Sequence, residues 1–132
     1  MAYIEWNEEH KTNVSIIDDE HDKIAKLANE IYNSLGDNDK CKLLFADLTE
    51  QVQTHFETEE TLMKKFKDVH YISHKLEHDR MFKKVSELND LIQSGEKTVG
   101  LDFIKSFRNW LFNHLELNDK KTGKFLTEHG VS

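Results

Sequence analysis

Histidines stand inside the apolar stripes of four helix-like segments, and this feature constrains the fold more than any other. In each segment apolar residues recur alternately three and four positions apart, as on one face of an amphipathic helix. Five core positions are taken by His21, His55, His74, His78 and His114. One buried histidine can form a hydrogen bond to a backbone carbonyl. Five buried histidines without partners would cancel much of the free energy of unfolding of a typical domain, which is roughly 5 to 15 kcal/mol. Metal ions would offset that cost, because they bind neutral imidazole directly.

The same stripes predict an all-α fold. The chain of 132 residues has no Pro and only five Gly, which favours long helices over turn-rich sheet. The predicted elements are an arm over 1-17 and helices at roughly 18-36, 39-66, 70-93 and 99-119. Short connections reverse the direction of successive helices, so we expect an antiparallel up-down four-helix bundle in one domain spanning 1-132. A tail around Phe125 and Leu126 is expected to add a short turn that covers the end of the bundle.

Composition and charge exclude several classes of partner. The net charge of −7 disfavours nucleic acid and anionic lipid, and we expect neither as a partner. No apolar run approaches the roughly 20 residues that span a bilayer. The single Cys41 cannot form an internal disulfide and no signal-like segment opens the chain, so we expect a cytoplasmic protein.

The spacing of the polar core residues suits metal ligation. His55 with Glu59, and His74 with His78, are four residues apart, so each pair projects two donors to one side of a helix. His114 and Asp119 are five apart and lie about 140° out of phase on an ideal helix, so a local distortion or frayed end must turn Asp119 inward.

Five imidazoles and two carboxylates are too many for one working ion and suit two octahedral ions. One position stays open if both carboxylates bridge the ions and a solvent-derived oxygen lies between them. Imidazole-rich ligation without thiolate favours iron, with zinc, copper and manganese as open alternatives.

At these positions the sequence resembles the hemerythrin family, in particular its single-domain bacterial members. The resemblance covers nearly the whole chain, including Trp6 in the arm. It is carried by Ile17-Asp18-Asp19-Glu20-His21, His55-Phe56-Glu57-Thr58-Glu59, His74-Lys75-Leu76-Glu77-His78 and His114-Leu115-Glu116-Leu117-Asn118-Asp119. Asn13 stands where many members have Gly, and Asn tolerates the positive φ that this position would need.

The resemblance implies two non-heme iron ions joined by an oxo or hydroxo bridge. One iron would be held by His74, His78 and His114, the other by His21 and His55, and both by Glu59 and Asp119. The iron with two histidines would be five-coordinate and would bind dioxygen. The expected function is therefore reversible dioxygen binding for storage, transport or sensing.

Apolar neighbours of these residues predict an oxygen pocket formed by Ile24, Phe56, Trp110, Leu111 and Leu115. A pocket without a proton donor lacks the general acid that O–O cleavage needs, so we expect a binding protein and not an enzyme. Two alternatives stay open. One is a di-iron enzyme acting on peroxide or nitric oxide, and the other is an iron-responsive interaction module with an unknown protein partner.

Other motifs carry less weight. His74 to His78 also fits the H-x-x-E-H pattern of zinc peptidases, but that pattern would leave the remaining core histidines unexplained. Glu77 is expected to be solvated or to support a ligand, and Glu60 to lie on the surface. We also expect surface positions for His10, His70 and His129, and a buried, inert thiol at Cys41.

Overall fold

The computed structural model describes residues 3–132 and is built from helices, with no strand in that range. After a 3-10 turn at Glu8–His10, the helices are α1 (Ser15–Asn33), α2 (Asn38–Lys65), α3 (Tyr71–Ser94), α4 (Leu101–His114) and α5 (Lys120–Glu128). A π-helical segment, Leu115–Asp119, joins α4 to α5 without a break in the helical backbone. Because α4, this segment and α5 form one continuous helix, the predicted four-helix bundle is confirmed.

The apolar stripes meet in one core at the end of the bundle away from α5. Phe45, Leu48, Ile31, Ile104 and Phe107 are all almost fully buried there. Within residues 3–132 no helix has a stretch long and apolar enough to cross a membrane. Most of the apolar side chains of the stripes are buried between helices, as the stripe spacing predicts.

The N-terminal arm is fastened to α1 by polar contacts. Helix α1 begins at Ser15, three residues before the predicted start. Asp18 therefore lies inside the helix, where its carboxylate accepts hydrogen bonds from the Thr12 backbone N–H at 2.7 Å and the Thr12 hydroxyl at 2.8 Å. Asn13 has φ of 69°, the conformation expected of it. Further out, the Asn29 side chain accepts from the Ile4 N–H at 2.7 Å and donates to the Ile4 carbonyl at 2.9 Å.

The prediction that the last helix ends near Asp119 is wrong, because the chain stays helical to Glu128. Gly123 lies inside this last helix and permits a close approach of two backbones. A Cβ at Gly123 would lie 2.6 Å from the carbonyl oxygen of Thr12 in the arm. One turn later, Leu126 is fully buried against Val14 and Ile17. Helix α5 thus closes one end of the bundle and covers the base of the arm.

Replacing Gly123 with Ala is expected to lower the free energy of unfolding by about 1 to 3 kcal/mol, because the new Cβ would overlap Thr12. The measurement is urea denaturation of variants with matched metal content. Lys124→Ala, at the next and exposed position of α5, is the control and should stay within about 0.5 kcal/mol of the parent. Helix propensity alone predicts the opposite sign for Gly123→Ala, a gain of about 1 kcal/mol, and that result would disprove the tight contact.

Candidate metal centre

The seven residues predicted as ligands come together in the interior, and all are buried. They form two groups of potential ligands, and within each group the donor atoms lie within 4.8 Å of one another. One group comprises Glu59, His74, His78 and His114, and the other comprises His21, His55, Glu59 and Asp119. We call them the three-histidine group and the two-histidine group. Each group has the donor number and chemistry to hold a metal ion.

Glu59 belongs to both groups and lies between them. Its Oε1 is 2.5 Å from Nε2 of His55 in the two-histidine group. Its Oε2 lies 3.8 Å from Nε2 of His78 and 3.9 Å from Nε2 of His74 in the three-histidine group. The two oxygens of the Glu59 carboxylate therefore lie beside different groups.

Asp119 repeats this arrangement from the opposite side. Its Oδ2 is 2.8 Å from Nε2 of His21, and its Oδ1 is 2.9 Å from Nε2 of His114. Both carboxylates thus extend between the groups, as bridging ligands of a two-metal site would.

The π-helical segment brings Asp119 to this position. Its widened turn is closed by a hydrogen bond from the Lys120 N–H to the Leu115 carbonyl, five residues back. An i→i+5 turn inserts one extra residue relative to an α-helix, so residues five apart can share one side of the helix. The predicted local distortion is therefore present, and it is a π-bulge in a continuous helix and not a frayed end.

Six donor atoms inside the cluster make no hydrogen bond of good geometry, even where another donor atom lies close. This holds for Nε2 of His74, His78 and His114, for both oxygens of Glu59 and for Oδ1 of Asp119. Buried polar atoms are nearly always paired, because an unpaired one costs about 1 to 3 kcal/mol. Imidazole nitrogens and carboxylate oxygens are also common metal donors, so the residues present fit a pair of metal ions.

On the outer side, four of the five histidines are held through Nδ1. Oxygens of Glu20, Glu60 and Glu77 lie 3.1, 2.9 and 2.9 Å from Nδ1 of His55, His78 and His114 respectively. The Thr122 hydroxyl lies 3.2 Å from Nδ1 of His74. A partner on one ring nitrogen fixes the tautomer and leaves the other nitrogen free for a metal.

One of these partners differs from the sequence-based expectations, and another agrees with one of its two alternatives. Glu60 is not on the surface but half-buried, because α3 places His78 against it. Glu77 is expected to be solvated or to support a ligand, and it does the latter, because one of its oxygens is bonded to His114. Its second oxygen accepts a hydrogen bond from Asn118 Nδ2 at 2.8 Å. Glu20 and Thr122 were not recognised from sequence. For Glu20 the only available signal was its place immediately before His21.

The charges of the cluster divide the histidines into two kinds. Burial and the neighbouring His114 lower the pKa of His78 to about 2, and they also lower the pKa of His74. Burial opposes protonation of His114 as well, but the Asp119 carboxylate prevails and raises its pKa to about 10. In the same way Glu59, Asp119 and Glu20 raise the pKa of His55 against the effect of burial. Without metal, protons on His55 and His114 thus balance the two buried carboxylates.

Aromatic rings enclose the cluster. Phe56 stacks on the His78 ring at 4.0 Å between centroids, and Trp110 stacks on the His114 ring at 4.8 Å. Two residues of the predicted oxygen pocket therefore lie against the three-histidine group. The other residues of the predicted oxygen pocket, Ile24, Leu111 and Leu115, are buried. The pocket itself stays a prediction.

The arm adds a further wall to the two-histidine group. Trp6 places its ring edge against His21 at 5.3 Å between centroids. It also stacks on His10 at 4.7 Å, so His10 is half-buried and not the surface residue expected. His70 and His129 are exposed, and Cys41 is buried, as the sequence predicts.

Removing an outer partner should weaken metal binding without removing a ligand. Glu77→Ala is expected to lower metal affinity about 10- to 100-fold, because His114 loses the carboxylate that orients it. Affinity can be measured by competition with a chelator of known strength. Glu87→Ala removes an exposed carboxylate from the same helix and should leave affinity unchanged. Equal affinities for the two variants would show that Glu77 does not support the site.

Metal binding should release protons near neutral pH. The raised pKa of His114, about 10, keeps this ring protonated at pH 7 in the metal-free protein, and the neighbouring carboxylates raise the pKa of His55 as well, so a metal must displace protons. We expect release of at least one proton per chain, and an affinity that rises with pH because the proton penalty falls. Calorimetric titration in buffers of different ionisation enthalpy measures this number. Binding at pH 7 with no proton release would contradict the charge arrangement described above.

Comparison with known proteins agrees with this geometry. Residues 12–126 match the family model described as the hemerythrin HHE cation binding domain. Proteins named bacteriohemerythrin are similar in sequence. The one from Methylococcus capsulatus is 31% identical over 130 residues, which cover 96% of this chain and 99% of that protein. The one from Aquifex aeolicus is 32% identical over 124 residues, which cover 91% and 95%.

Solved structures give the same answer for the fold. A crystal structure of wild-type hemerythrin superposes with a TM-score of 0.89 at 30% identity, over 95% of this chain and 98% of that one. A leucine-to-alanine variant of hemerythrin superposes with a TM-score of 0.90 at 30% identity, over 96% and 98%. With its family match, its bundle and its buried cluster of histidines and carboxylates, the chain belongs to the hemerythrin family.

Proposed function

We propose that this protein binds dioxygen reversibly at a non-heme di-iron centre. The observation that carries the proposal is the pair of donor groups joined by Glu59 and Asp119, each carboxylate directing its oxygens to different groups. Such an arrangement suits two ions held close together, as dioxygen binding by a pair of irons requires. The similar proteins named hemerythrin and bacteriohemerythrin support the same assignment.

The donor groups suggest which residues hold each ion. The three-histidine group would hold one iron through His74, His78 and His114. The two-histidine group would hold the other through His21 and His55. Because the second ion would have one imidazole fewer, an open coordination position would belong there. The irons would supply two electrons to dioxygen on binding and recover them on release.

The protein around the site favours release of dioxygen intact. Its nearest further carboxylates, Glu20, Glu60 and Glu77, bond to outer ring nitrogens, so ligand imidazoles separate them from the centre. They are poorly placed to deliver the proton that O–O cleavage needs. Buried Ile24, Leu111 and Leu115, together with Trp6 beside His21, keep the surroundings apolar and exclude water. These features support binding over turnover.

The test is the visible spectrum of iron-loaded, chemically reduced protein before oxygen, after oxygen and after degassing, with iron measured on the same sample. We expect two irons per chain and a visible band that forms with oxygen and fades on degassing. His78→Ala should lower the iron content and abolish the band, because a ligand of the three-histidine group is lost. His70→Ala, which removes an exposed histidine just before α3, should behave like the parent.

Other outcomes would point away from a carrier. Irreversible oxidation at the first exposure, or a full complement of iron without any band, would refute reversible binding. Turnover of peroxide or nitric oxide well above free-iron controls would favour an enzyme. Iron-dependent stability without an oxygenated form would favour an interaction module.

A further inference from the structure

A groove runs between α3 and α4 on the outside of the bundle. Helix α2 packs closely along α1 and α3, whereas α3 and α4 make few close backbone approaches within residues 3–132. The space between them forms two adjoining cavities of about 550 and 270 Å³ that share Met81, Lys84 and Trp110. The larger volume lies within the range of about 300 to 1,000 Å³ that is typical of sites for small organic ligands, and the smaller cavity extends it.

The smaller cavity is apolar. Its walls include Leu88, Phe103 and Phe107, in addition to the shared Met81 and Trp110. Of these five side chains only Phe107 is fully buried, and the others stay partly open to solvent. Large apolar side chains side by side in a concave surface favour an apolar occupant, because covering them removes their area from water.

The larger cavity carries positive charge at its edge. Arg80 and Lys84 are one turn apart on α3, both exposed, and both line it. Within residues 3–132 neither has a carboxylate within 4.0 Å, whereas Lys75 on the same helix is paired with Glu60 and Asp79. The one acidic side chain in the lining, Glu77, already accepts hydrogen bonds with both oxygens. In a chain of net charge −7 the groove therefore offers two free cations beside an apolar channel.

From this combination we infer that the groove binds a small amphipathic anion, a carboxylate with an unbranched alkyl chain. The chain lies along Met81, Leu88 and Phe103, and the carboxylate is bound by Arg80 and Lys84. Arginine and lysine bind carboxylates through charge-assisted hydrogen bonds. The lining of the groove also includes Trp110 and Glu77, the residues that stack on and hydrogen-bond to His114. The site is thus in contact with the supports of the metal centre while containing none of its predicted ligands.

The inference is tested by calorimetric titration of the iron-loaded protein with sodium dodecanoate below its micellar concentration. We expect saturable binding of one dodecanoate per chain. The double variant Arg80→Glu/Lys84→Glu should bind about ten- to a hundredfold more weakly, because both charged contacts are lost. The matched control is Lys83→Glu/Lys97→Glu, which reverses two exposed lysines that do not line these cavities and should bind like the parent.

A second probe separates charge recognition from adsorption to apolar surface. Dodecyltrimethylammonium has the same alkyl chain with a cationic head, and we expect it to bind at least tenfold more weakly than dodecanoate. Absence of dodecanoate binding, equal binding by both double variants, or equal binding of the two probes would each overturn the inference. So would sedimentation showing a dimer that the groove variants disrupt, since a second copy would then be the occupant. The titration involves no oxygen chemistry, so its result is independent of whether the protein carries dioxygen.

Discussion

Two buried carboxylates facing five imidazoles are the arrangement on which the rest of the structure depends. The negative charges of Glu59 and Asp119 would be unfavourable in an apolar core by themselves. The histidines around them balance these charges, either by carrying protons or by binding a metal. The donor atoms come from α1, α2, α3, α4 and the π-helical segment. Bringing them together to neutralise the two carboxylates therefore requires every long helix to pass close to the cluster. This connection also bears on the gap between α3 and α4. The two helices are connected through the donor cluster and through the hydrogen bonds that Glu77 accepts from His114 and Asn118, with little direct packing between them.

Much of the centre was predictable because ligands in a bundle must occupy core positions. The stripe spacing placed His21, His55, His74 and the other ligands inward, and ideal helix geometry showed that Asp119 alone did not fit. The form of the distortion was not predictable, because a π-bulge depends on packing around the helix and Leu115 to Asp119 carry no distinctive local signal. The length of the last helix was missed for a related reason. A glycine that ends a helix and a glycine that permits contact with Thr12 look identical until the arm is in place.

The outer hydrogen-bond partners mark another limit of sequence reasoning. Glu20, Glu60 and Glu77 each stand directly beside a predicted ligand in the sequence, yet each supports a histidine on a different helix. Which carboxylate meets which imidazole depends on the rotation and offset of neighbouring helices, and helical periodicity describes each helix only by itself. The chain is rich in acidic residues, so the three that matter cannot be separated from solvated ones by composition. Their roles emerge only when the bundle is assembled.

The π-helical segment also has a consequence for the length of the chain. A π-bulge accommodates one residue more than the α-helix it interrupts, and each residue of an α-helix turns the chain by about 100°. Deleting a single residue between His114 and Asp119 would remove the bulge and leave a regular α-helix, in which the aspartate follows the histidine by four residues and still faces the same side. If instead all the residues were kept in a regular α-helix, everything after the bulge would be turned by about 100°. Asp119 would then leave the cluster, and Thr122, Gly123 and Leu126 would lose their alignment with His74, the arm and α1. The bulge thus absorbs one additional residue and keeps the metal centre and the closed end of the bundle in register with each other.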